Sequence, residues 1–355
     1  MKLILAINPG STSTKIAVFE GDQEVFTKTL RHPIEEISQY TSVIDQYQFR
    51  LNTILKSLEE NHIDKANLVA IVGRGGLLRP ISSGTYEVNE EMIKDLSSAE
   101  YGEHASNLGG VLANAISSDI PSCRAFIADP VVVDELQDVA RISGHPLFPN
   151  LSIFHALNQK AIAKQYAREQ GVKYENLKLI VAHLGGGTSV GVHKGGKVID
   201  VNNALEGAGA FSPERSGSLP ALPLAKACFS GKFSFNEIKK MISGKGGLVA
   251  HLNTNSFIEV ENRMKEGDEK AILIANAYVY NVAKQIGASA AVLSGNCDAI
   301  LITGGIAYGK ELMQQLSDMV SFIAPVKVYP GENEMGALAN NGLAVLEGRE
   351  EVKVY

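Results

Sequence analysis

The strongest constraint on the fold is a pattern of three short segments with the composition of strands, separated by turns of small residues, that occurs twice. The two copies begin at Leu3 and Leu179, about half the chain length apart. Short apolar runs bounded by Gly, Ser and Asn are typical of buried strands. The six predicted strands are residues 3–7, 15–19, 24–30, 179–183, 190–193 and 197–201.

A second pair of segments repeats in the same order. Residues 68–72 are apolar and lead into Gly73-Arg-Gly-Gly76, and residues 299–303 lead into Gly304-Gly305. Helical periodicity occurs between the strands, at residues 48–61, 152–169 and 270–291. The sequence therefore predicts an α/β protein built from a duplicated unit.

The duplication predicts two lobes. We expect residues 1–150, together with about 331–355, to form an N-terminal lobe, and residues 151–330 to form a C-terminal lobe. The boundary is set by a Pro-rich turn that ends at Pro149 and Asn150. Two such lobes facing each other would place both small-residue turns at one cleft.

Composition excludes several classes of protein. The 355 residues are 45% apolar and 20% charged, a balance typical of globular proteins. The net charge of −6, with scattered basic residues, disfavours nucleic acid as a partner. The three cysteines are far apart, which favours a reducing compartment and no Cys-rich metal site. Since no apolar run reaches the ~18 residues of a membrane helix, we expect a cytoplasmic protein without a membrane partner.

Two turns have a composition suited to anions. Residues 8–15 supply an amide, several hydroxyl groups and one ammonium, and residues 183–189 supply three glycines after a histidine. Small residues let a ligand approach the backbone, and N–H groups in tight turns bind anions. A single turn of this kind is more often an ordinary hairpin, but two in one cleft favour a polyphosphate ligand. A Walker A motif is incomplete, because Glu311 follows Lys310 where Ser or Thr is required.

Five motifs, in order along the whole chain, resemble those of the acetate kinase family. They are Asn-Pro-Gly-Ser-Thr-Ser-Thr-Lys at 8–15, His-Leu-Gly-Gly-Gly-Thr-Ser at 183–189, Pro-Glu-Arg-Ser-Gly at 213–217, Gly-Gly-Ile at 304–306 and Pro-Gly-Glu-Asn-Glu at 330–334. Within the family, the first motif and the segment at 206–217 are similar to butyrate and branched-chain fatty-acid kinases. The resemblance implies a ribonuclease-H-like, actin-like fold with two lobes around a nucleotide cleft.

The resemblance also implies a reaction, namely reversible transfer of a phosphoryl group from ATP to the carboxylate of butyrate or isobutyrate, with Mg²⁺. It implies a homo-oligomer as well. The roles that it implies cover four groups of residues. The catalytic residues would be Arg215, His183, His155 and Asn8. The phosphate and nucleotide residues would be Ser11, Thr12, Lys15, Gly185, Gly186, Gly187, Gly304 and Gly305, and the metal ligands Asp129 and Glu334. The substrate residues are expected to be Arg74, Arg79, Phe154, Phe211 and Pro213; the last three are chosen because they lie close in sequence to His155 and Arg215. Glu332, two residues before Glu334, is an alternative ligand.

The chain departs from the broader family in the first lobe. Arg74 stands where acetate kinases have a histidine, and Ile71 falls roughly where they have an arginine. Either Arg74 or Arg79 is therefore expected to orient the substrate carboxylate. Pro130 follows Asp129 in place of a threonine. These differences weaken an assignment to acetate more than they weaken the kinase chemistry.

Two other functions are consistent with the sequence. An actin-like kinase acting on acetate, propionate or a hydroxyl group is one, since Asp129 could act as the base that a hydroxyl substrate needs. A nucleotide-dependent interaction protein is the other, although 355 residues leave little room for a partner-binding domain.

Overall fold

The computed structural model describes residues 2–355, and the chain divides into two compact units. The first unit comprises the residues up to Val133, Ala156–Asn158 and Asn333–Tyr355, and the second comprises Asp134–His155 and Gln159–Glu332. The division at Val133 lies earlier than the boundary expected near Pro149, and the Pro-rich turn belongs to the second unit.

The described chain alternates strands and helices. The strands are β1 (Leu3–Pro9), β2 (Ser13–Glu20), β3 (Gln23–Arg31), β4 (Leu68–Arg74), β5 (Thr85–Glu87), β6 (Arg124–Ala128), β7 (Lys178–Leu184), β8 (Thr188–Lys194), β9 (Lys197–Val201), β10 (Ala299–Gly304) and β11 (Val326–Pro330). The helices are α1 (Ile34–Ile37), α2 (Tyr47–Glu60), α3 (Glu90–Ser98), α4 (Asn107–Ser118), α5 (Asp138–Arg141), α6 (Ala156–Glu169), α7 (Ala221–Cys228), α8 (Phe235–Ile242), α9 (Gly247–Leu252), α10 (Phe257–Lys265), α11 (Glu269–Val292), α12 (Lys310–Val320) and α13 (Glu334–Leu346).

The first unit contains a six-stranded sheet in the order β3-β2-β1-β4-β6-β5. β1 pairs antiparallel with β2 and parallel with β4, and every residue of β1 except Asn8 is buried. Helices α4 and α13 pack on the central strands. The approach of α4 is very close, since a Cβ on Gly73 would lie 2.1 Å from the carbonyl oxygen of Gly109. Both positions therefore require glycine.

The second unit contains a five-stranded sheet in the order β11-β10-β7-β8-β9. The apolar strands β7 and β10 are buried along almost their whole length. The long helix α11 packs on β8 and β7 and contributes the buried residues Tyr278, Val279 and Val282 to the core. An apolar core of this kind holds the end of β7 and the following turn in a fixed position.

The strand orders of the two units confirm the duplication. In each, three consecutive antiparallel strands are followed by two parallel ones, giving β3-β2-β1-β4-β6 and β9-β8-β7-β10-β11. β4 and β10 occupy equivalent places, as the paired segments at 68–72 and 299–303 predicted. The helix expected from residue 152 begins only at Ala156, because the backbone of His155 is not helical (φ −80°, ψ 63°). Among residues 2–355, no helix is long and apolar enough to cross a membrane.

Candidate active site

The first small-residue turn is a tight hairpin between β1 and β2. The N–H of Gly10 donates to the carbonyl oxygen of Ser13 at 2.7 Å, and Ser11 and Thr12 are exposed at the tip. Lys15 is exposed on β2 directly opposite Asn8 in the antiparallel register. Directly opposed residues share one face of a sheet. The hairpin thus presents hydroxyl groups and an ammonium beside the Asn8 amide.

Arg50, which the sequence interpretation missed, holds this hairpin from within the protein. It is 1% exposed on α2, and its guanidinium donates to the carbonyl oxygens of Gly10 (2.8 Å), Ser13 (3.1 Å) and Ser11 (3.2 Å). It also donates to the hydroxyl oxygen of Thr14 at 3.1 Å. Burial lowers the pKa of Arg50 to about 10. A cation on the apolar stripe of a helix, four residues before Ile54, was the signal that could have revealed it.

A polar cluster lies at the end of β1. The Asn8 amide nitrogen donates to Glu334 Oε2 at 2.5 Å, and Arg74 Nη1 lies 3.2 Å from Glu334 Oε1. Arg74 Nη1 also donates to Asn8 Oδ1 at 3.3 Å. The three side chains come from β1, β4 and the first residue of α13, and both charged ones remain partly exposed. The cluster can therefore offer a guanidinium and a carboxylate to a ligand at the same place.

Arg79 lies in a different environment from Arg74. Its guanidinium forms an exposed ion pair with Glu91 at 2.6 Å and lies 4.0 Å above the ring of Tyr355. The Tyr355 hydroxyl in turn donates to Asp95 at 2.7 Å, and burial, together with this hydrogen bond, raises the pKa of Tyr355. These contacts connect Arg79 to the C-terminal residue and to α3, whereas Arg74 contacts Asn8 and Glu334.

Asp129 directly follows β6 and is 2% exposed. Its Oδ1 accepts hydrogen bonds from the Ser83 hydroxyl at 2.6 Å and from the Gly84 N–H at 2.8 Å. Both donors contact the same oxygen, so the carboxylate is oriented while Oδ2 is bonded to neither of them. Within residues 2–355 no three His, Cys, Asp or Glu side chains form a metal cluster. A single oriented carboxylate still fits an ion that takes its remaining ligands from water and phosphate.

The second small-residue turn connects β7 and β8 in the other unit. The Gly185 N–H donates to the carbonyl oxygen of Gly187 at 3.0 Å, and the Ser212 hydroxyl donates to the carbonyl oxygen of Gly186 at 2.7 Å. Arg215 packs against the turn so closely that a Cβ on Gly187 would lie 1.9 Å from its Nη1. Arg215 Nη1 donates to the Ala204 carbonyl at 2.8 Å, and burial lowers its pKa. The guanidinium of Arg215 is therefore in direct contact with the turn.

Two histidines lie beside this turn. The rings of His155 and His183 are stacked with centroids 3.7 Å apart and an interplanar angle of 9°. His183 is 1% exposed, and its Nε2 lies 3.0 Å from Glu332 Oε1. His155 Nδ1 lies 2.8 Å from the Ser189 hydroxyl oxygen. Glu332 is therefore the partner of His183, whereas Glu334 belongs to the other unit and contacts Asn8.

The remaining expected site residues also lie in the second unit. Gly304 has a φ of +97°, and a Cβ there would lie 2.3 Å from the Leu184 carbonyl oxygen, so the end of β10 approaches the end of β7. Gly305 is exposed and begins a 3-10 turn. Phe154 and Pro213 are buried, and Phe211 packs on Tyr278 with ring centroids 5.8 Å apart. Phe211 therefore contributes to the core in addition to any contact with substrate.

The fold and these turns define a class of protein, the α/β enzymes with a duplicated ribonuclease-H-like, actin-like fold. The acetate kinase of Porphyromonas gingivalis has this fold: it aligns with a TM-score of 0.81 at 19% identity, over 98% of this chain and 100% of that one. The acetokinase family model matches residues 153–331.

The curated relatives are closer in sequence. Butyrate kinase 2 of Clostridium acetobutylicum is 56% identical over 99% of both chains, and butyrate kinase 1 of the same organism is 55% identical over the full length of both. The chain belongs to the acetokinase family.

Proposed function

We propose that this protein transfers the γ-phosphoryl group of ATP to the carboxylate of butyrate, reversibly, to give butyryl phosphate and ADP. The observation that carries the proposal is the 56% identity with butyrate kinase 2 over nearly the whole of both chains. The two small-residue hairpins, each with a cation beside it, support the same conclusion from the structure.

The acceptor needs no general base, because a short fatty acid is ionised at neutral pH. The reaction needs neutralisation of negative charge and an in-line arrangement of the reacting oxygens. In the proposal, Arg215 and the hairpin at Gly185–Gly187 stabilise the transferring phosphoryl group in the transition state. His183 and His155 donate hydrogen bonds to the same group. Gly304 and Gly305 border the nucleotide, and Ser11, Thr12 and Lys15 contact phosphate.

Arg74 is the better candidate for orienting the substrate carboxylate, since it lies beside Asn8 while Arg79 is paired with Glu91. Arg74 also pairs with the neighbouring Glu334 at 3.2 Å. Phe154, Phe211 and Pro213 are proposed as walls for the alkyl chain.

We further propose Mg²⁺ as the divalent ion, with Asp129 and Glu334 as its carboxylate ligands, directly or through water. When bound, the ion would neutralise charge on the phosphate oxygens. Asp129 fits this role because the donors from Ser83 and Gly84 orient its carboxylate. Assembly as a homo-oligomer and location in the cytoplasm stay predictions from the sequence.

The proposal is tested with purified protein, Mg-ATP and a panel of acceptors in the presence of hydroxylamine, which traps acyl phosphates as hydroxamates. Butyrate and isobutyrate should give the hydroxamate, and product should depend on both ATP and Mg²⁺. Phosphorylation of glucose or glycerol, with no product from any short acid, would assign the chain to a kinase of hydroxyl substrates.

A further inference from the structure

A chain of buried polar side chains leads from His155 into the interior of the second unit. The Ser189 hydroxyl lies 2.8 Å from His155 Nδ1 and 2.8 Å from the amide nitrogen of Gln159. The amide oxygen of Gln159 lies 3.0 Å from His193 Nε2, and His193 Nδ1 lies 2.7 Å from the Tyr174 hydroxyl. Gln159, Ser189 and His193 are all completely buried.

One contact fixes the orientation of the Gln159 amide in this chain. The amide nitrogen of Gln159 also lies 3.2 Å from the backbone carbonyl oxygen of Ser189. A carbonyl oxygen can only accept, so the Gln159 NH₂ group must face Ser189 and its oxygen must face His193. His193 must then donate from Nε2 and accept at Nδ1 from Tyr174. This form is neutral, in agreement with burial and the nearby Lys160, which hold the pKa of His193 well below its usual range.

The orientation of the Gln159 amide also affects the hydrogen bond between Ser189 and His155. The Gln159 amide has two N–H groups, and these donate to the carbonyl and to the hydroxyl oxygen of Ser189. Since the hydroxyl accepts from Gln159, its own hydrogen is available for His155 Nδ1. A ring nitrogen that accepts a hydrogen bond is unprotonated, and in a neutral imidazole the proton then resides on the other nitrogen.

We propose that Gln159 and Ser189 are positioning residues that hold His155 as the neutral tautomer protonated at Nε2. His155 is then a fixed hydrogen-bond donor rather than a proton acceptor. The stacking of His155 on His183 at 3.7 Å supports this assignment, because two imidazolium ions at that separation would repel each other.

The consequence for the reaction rests on the proposed function. An N–H donor suits the charged oxygens of a phosphoryl group, and a donor whose position is already set costs no reorganisation during the reaction. A carboxylate acceptor offers no proton for a base to remove, so a histidine locked as a donor matches this chemistry.

The first test is a long-range ¹H–¹⁵N NMR spectrum of histidine-labelled protein at about pH 8, where unperturbed histidines are neutral. The His155 signals are assigned by their loss in His155→Gln. The expected spectrum shows an unprotonated Nδ1 and a protonated Nε2. A protonated Nδ1, or an even mixture of tautomers, would overturn the proposal, whether or not the protein makes an acyl phosphate.

The second test removes the donors. Ser189→Ala deletes one hydroxyl group, and Gln159→Glu replaces the donating amide with a carboxylate that only accepts. Both should convert His155 to a mixture of tautomers and lower kcat by about 10-fold, roughly the contribution of one oriented hydrogen bond, with KM for butyrate changed less than about 3-fold. Gln165→Glu, on the exposed side of the same helix, is the matched control and should change neither quantity.

Ser189→Ala is the decisive variant if the buried carboxylate of Gln159→Glu prevents folding. Retention of the wild-type tautomer and kcat in Ser189→Ala would show that the network has only a structural role and would contradict the proposal. A wild-type protein with the expected tautomer but no kinase activity would refute the proposed function alone.

Discussion

At the scale of single residues, the proposed phosphoryl transfer depends most on Arg215, whose guanidinium packs on the Gly187 backbone. Arg215→Ala should lower kcat by a factor on the order of 10² to 10³, as loss of a preorganised donor does, while ATP binding weakens much less. Steady-state kinetics checks this, with Arg124→Ala as the control, since Arg124 pairs with Glu87 away from the hairpins. Near wild-type turnover of Arg215→Ala at saturating substrate would show that Arg215 does not take part in catalysis.

Glu332 and Glu334 are two residues apart, and the structure gives them different partners. Glu334→Gln and Asp129→Asn should each raise the Mg²⁺ concentration needed for half-maximal activity about 10-fold or more, because a neutral amide is a weaker ligand for a hard cation. Glu332→Gln should change kcat, because it alters the partner of His183, but it should leave the Mg²⁺ concentration for half-maximal activity unchanged. The exposed Asp119→Asn should change neither quantity. If only Glu332→Gln raised the Mg²⁺ concentration for half-maximal activity, Glu332 and not Glu334 would be assigned as the metal ligand.

His32, which contacts Thr14 in the first hairpin, should make the free energy of unfolding depend on pH. Burial, with a contribution from Arg50, lowers its pKa to about 4, and its Nε2 lies 2.9 Å from the Thr14 hydroxyl. Between that value and the unfolded value near 6.5, the unfolded chain binds more protons, so the free energy of unfolding falls as the pH falls through this range.

Each pH unit in that window should cost about 1.4 kcal/mol from His32, with a further loss from the buried His193. Urea unfolding at several pH values checks this. His32→Gln, whose amide can still reach Thr14, should show a shallower decline than the wild type. Identical slopes in the two proteins would mean that His32 remains protonated in the folded state.

At the scale of elements, α2 determines the shape of the first hairpin through Arg50. Arg50→Met should leave the carbonyl oxygens of Gly10, Ser11 and Ser13 without this donor. The cost for each should lie below the about 1–3 kcal/mol of a fully buried group, because Ser11 is exposed and the Ser13 carbonyl keeps the N–H of Gly10. We expect a clear loss of unfolding free energy and a KM for ATP raised about 10-fold, since the turn loses its fixed geometry. Lys56→Met, exposed on the same helix, is the control. A folded Arg50→Met with unchanged KM would show that the hairpin holds its shape without this cation.

The strands β1 to β4 and β7 to β10 were predictable from the sequence, because they belong to two repeated patterns of short segments and small-residue turns, whereas β5 and β11 were not predicted. The start of α6 was not, since the helical periodicity continues through 152–155 while the backbone of His155 leaves the helical region. The role of Arg50 was not predicted, because a charged side chain on a helix is usually solvated. Only the tertiary contacts show that its partners are the hairpin carbonyls. The partners of Glu332 and Glu334 also depend on tertiary contacts, which spacing alone cannot give.

At the scale of the whole molecule, the pocket proposed for the alkyl chain should discriminate by length. Acetate buries two fewer methylenes than butyrate, which at ~0.8 kcal/mol each is roughly 1.6 kcal/mol, or about 15-fold in kcat/KM. Such discrimination is soft, so acetate should be a poor substrate that still reacts. The check is kcat/KM for acetate, propionate, butyrate, isobutyrate and hexanoate.

Phe154 provides the variant for this series. Phe154→Ala should flatten the dependence on chain length, whereas Phe229→Ala, which removes a fully solvated ring, should leave it unchanged. A flat wild-type profile from two to six carbons, unaltered in Phe154→Ala, would show that no pocket of this kind sets specificity.

In the proposed reaction, a carboxylate oxygen of the acid attacks the γ-phosphorus of ATP. Butyrate labelled with ¹⁸O in both carboxylate oxygens, with Mg-ATP and the protein, tests this step by ³¹P NMR. We expect an acyl phosphate signal with the isotope shift of one ¹⁸O bonded to phosphorus, and ADP formed in equal amount. ATP consumption without a butyrate-dependent acyl phosphate, or an acyl phosphate whose phosphorus carries no label, would contradict it.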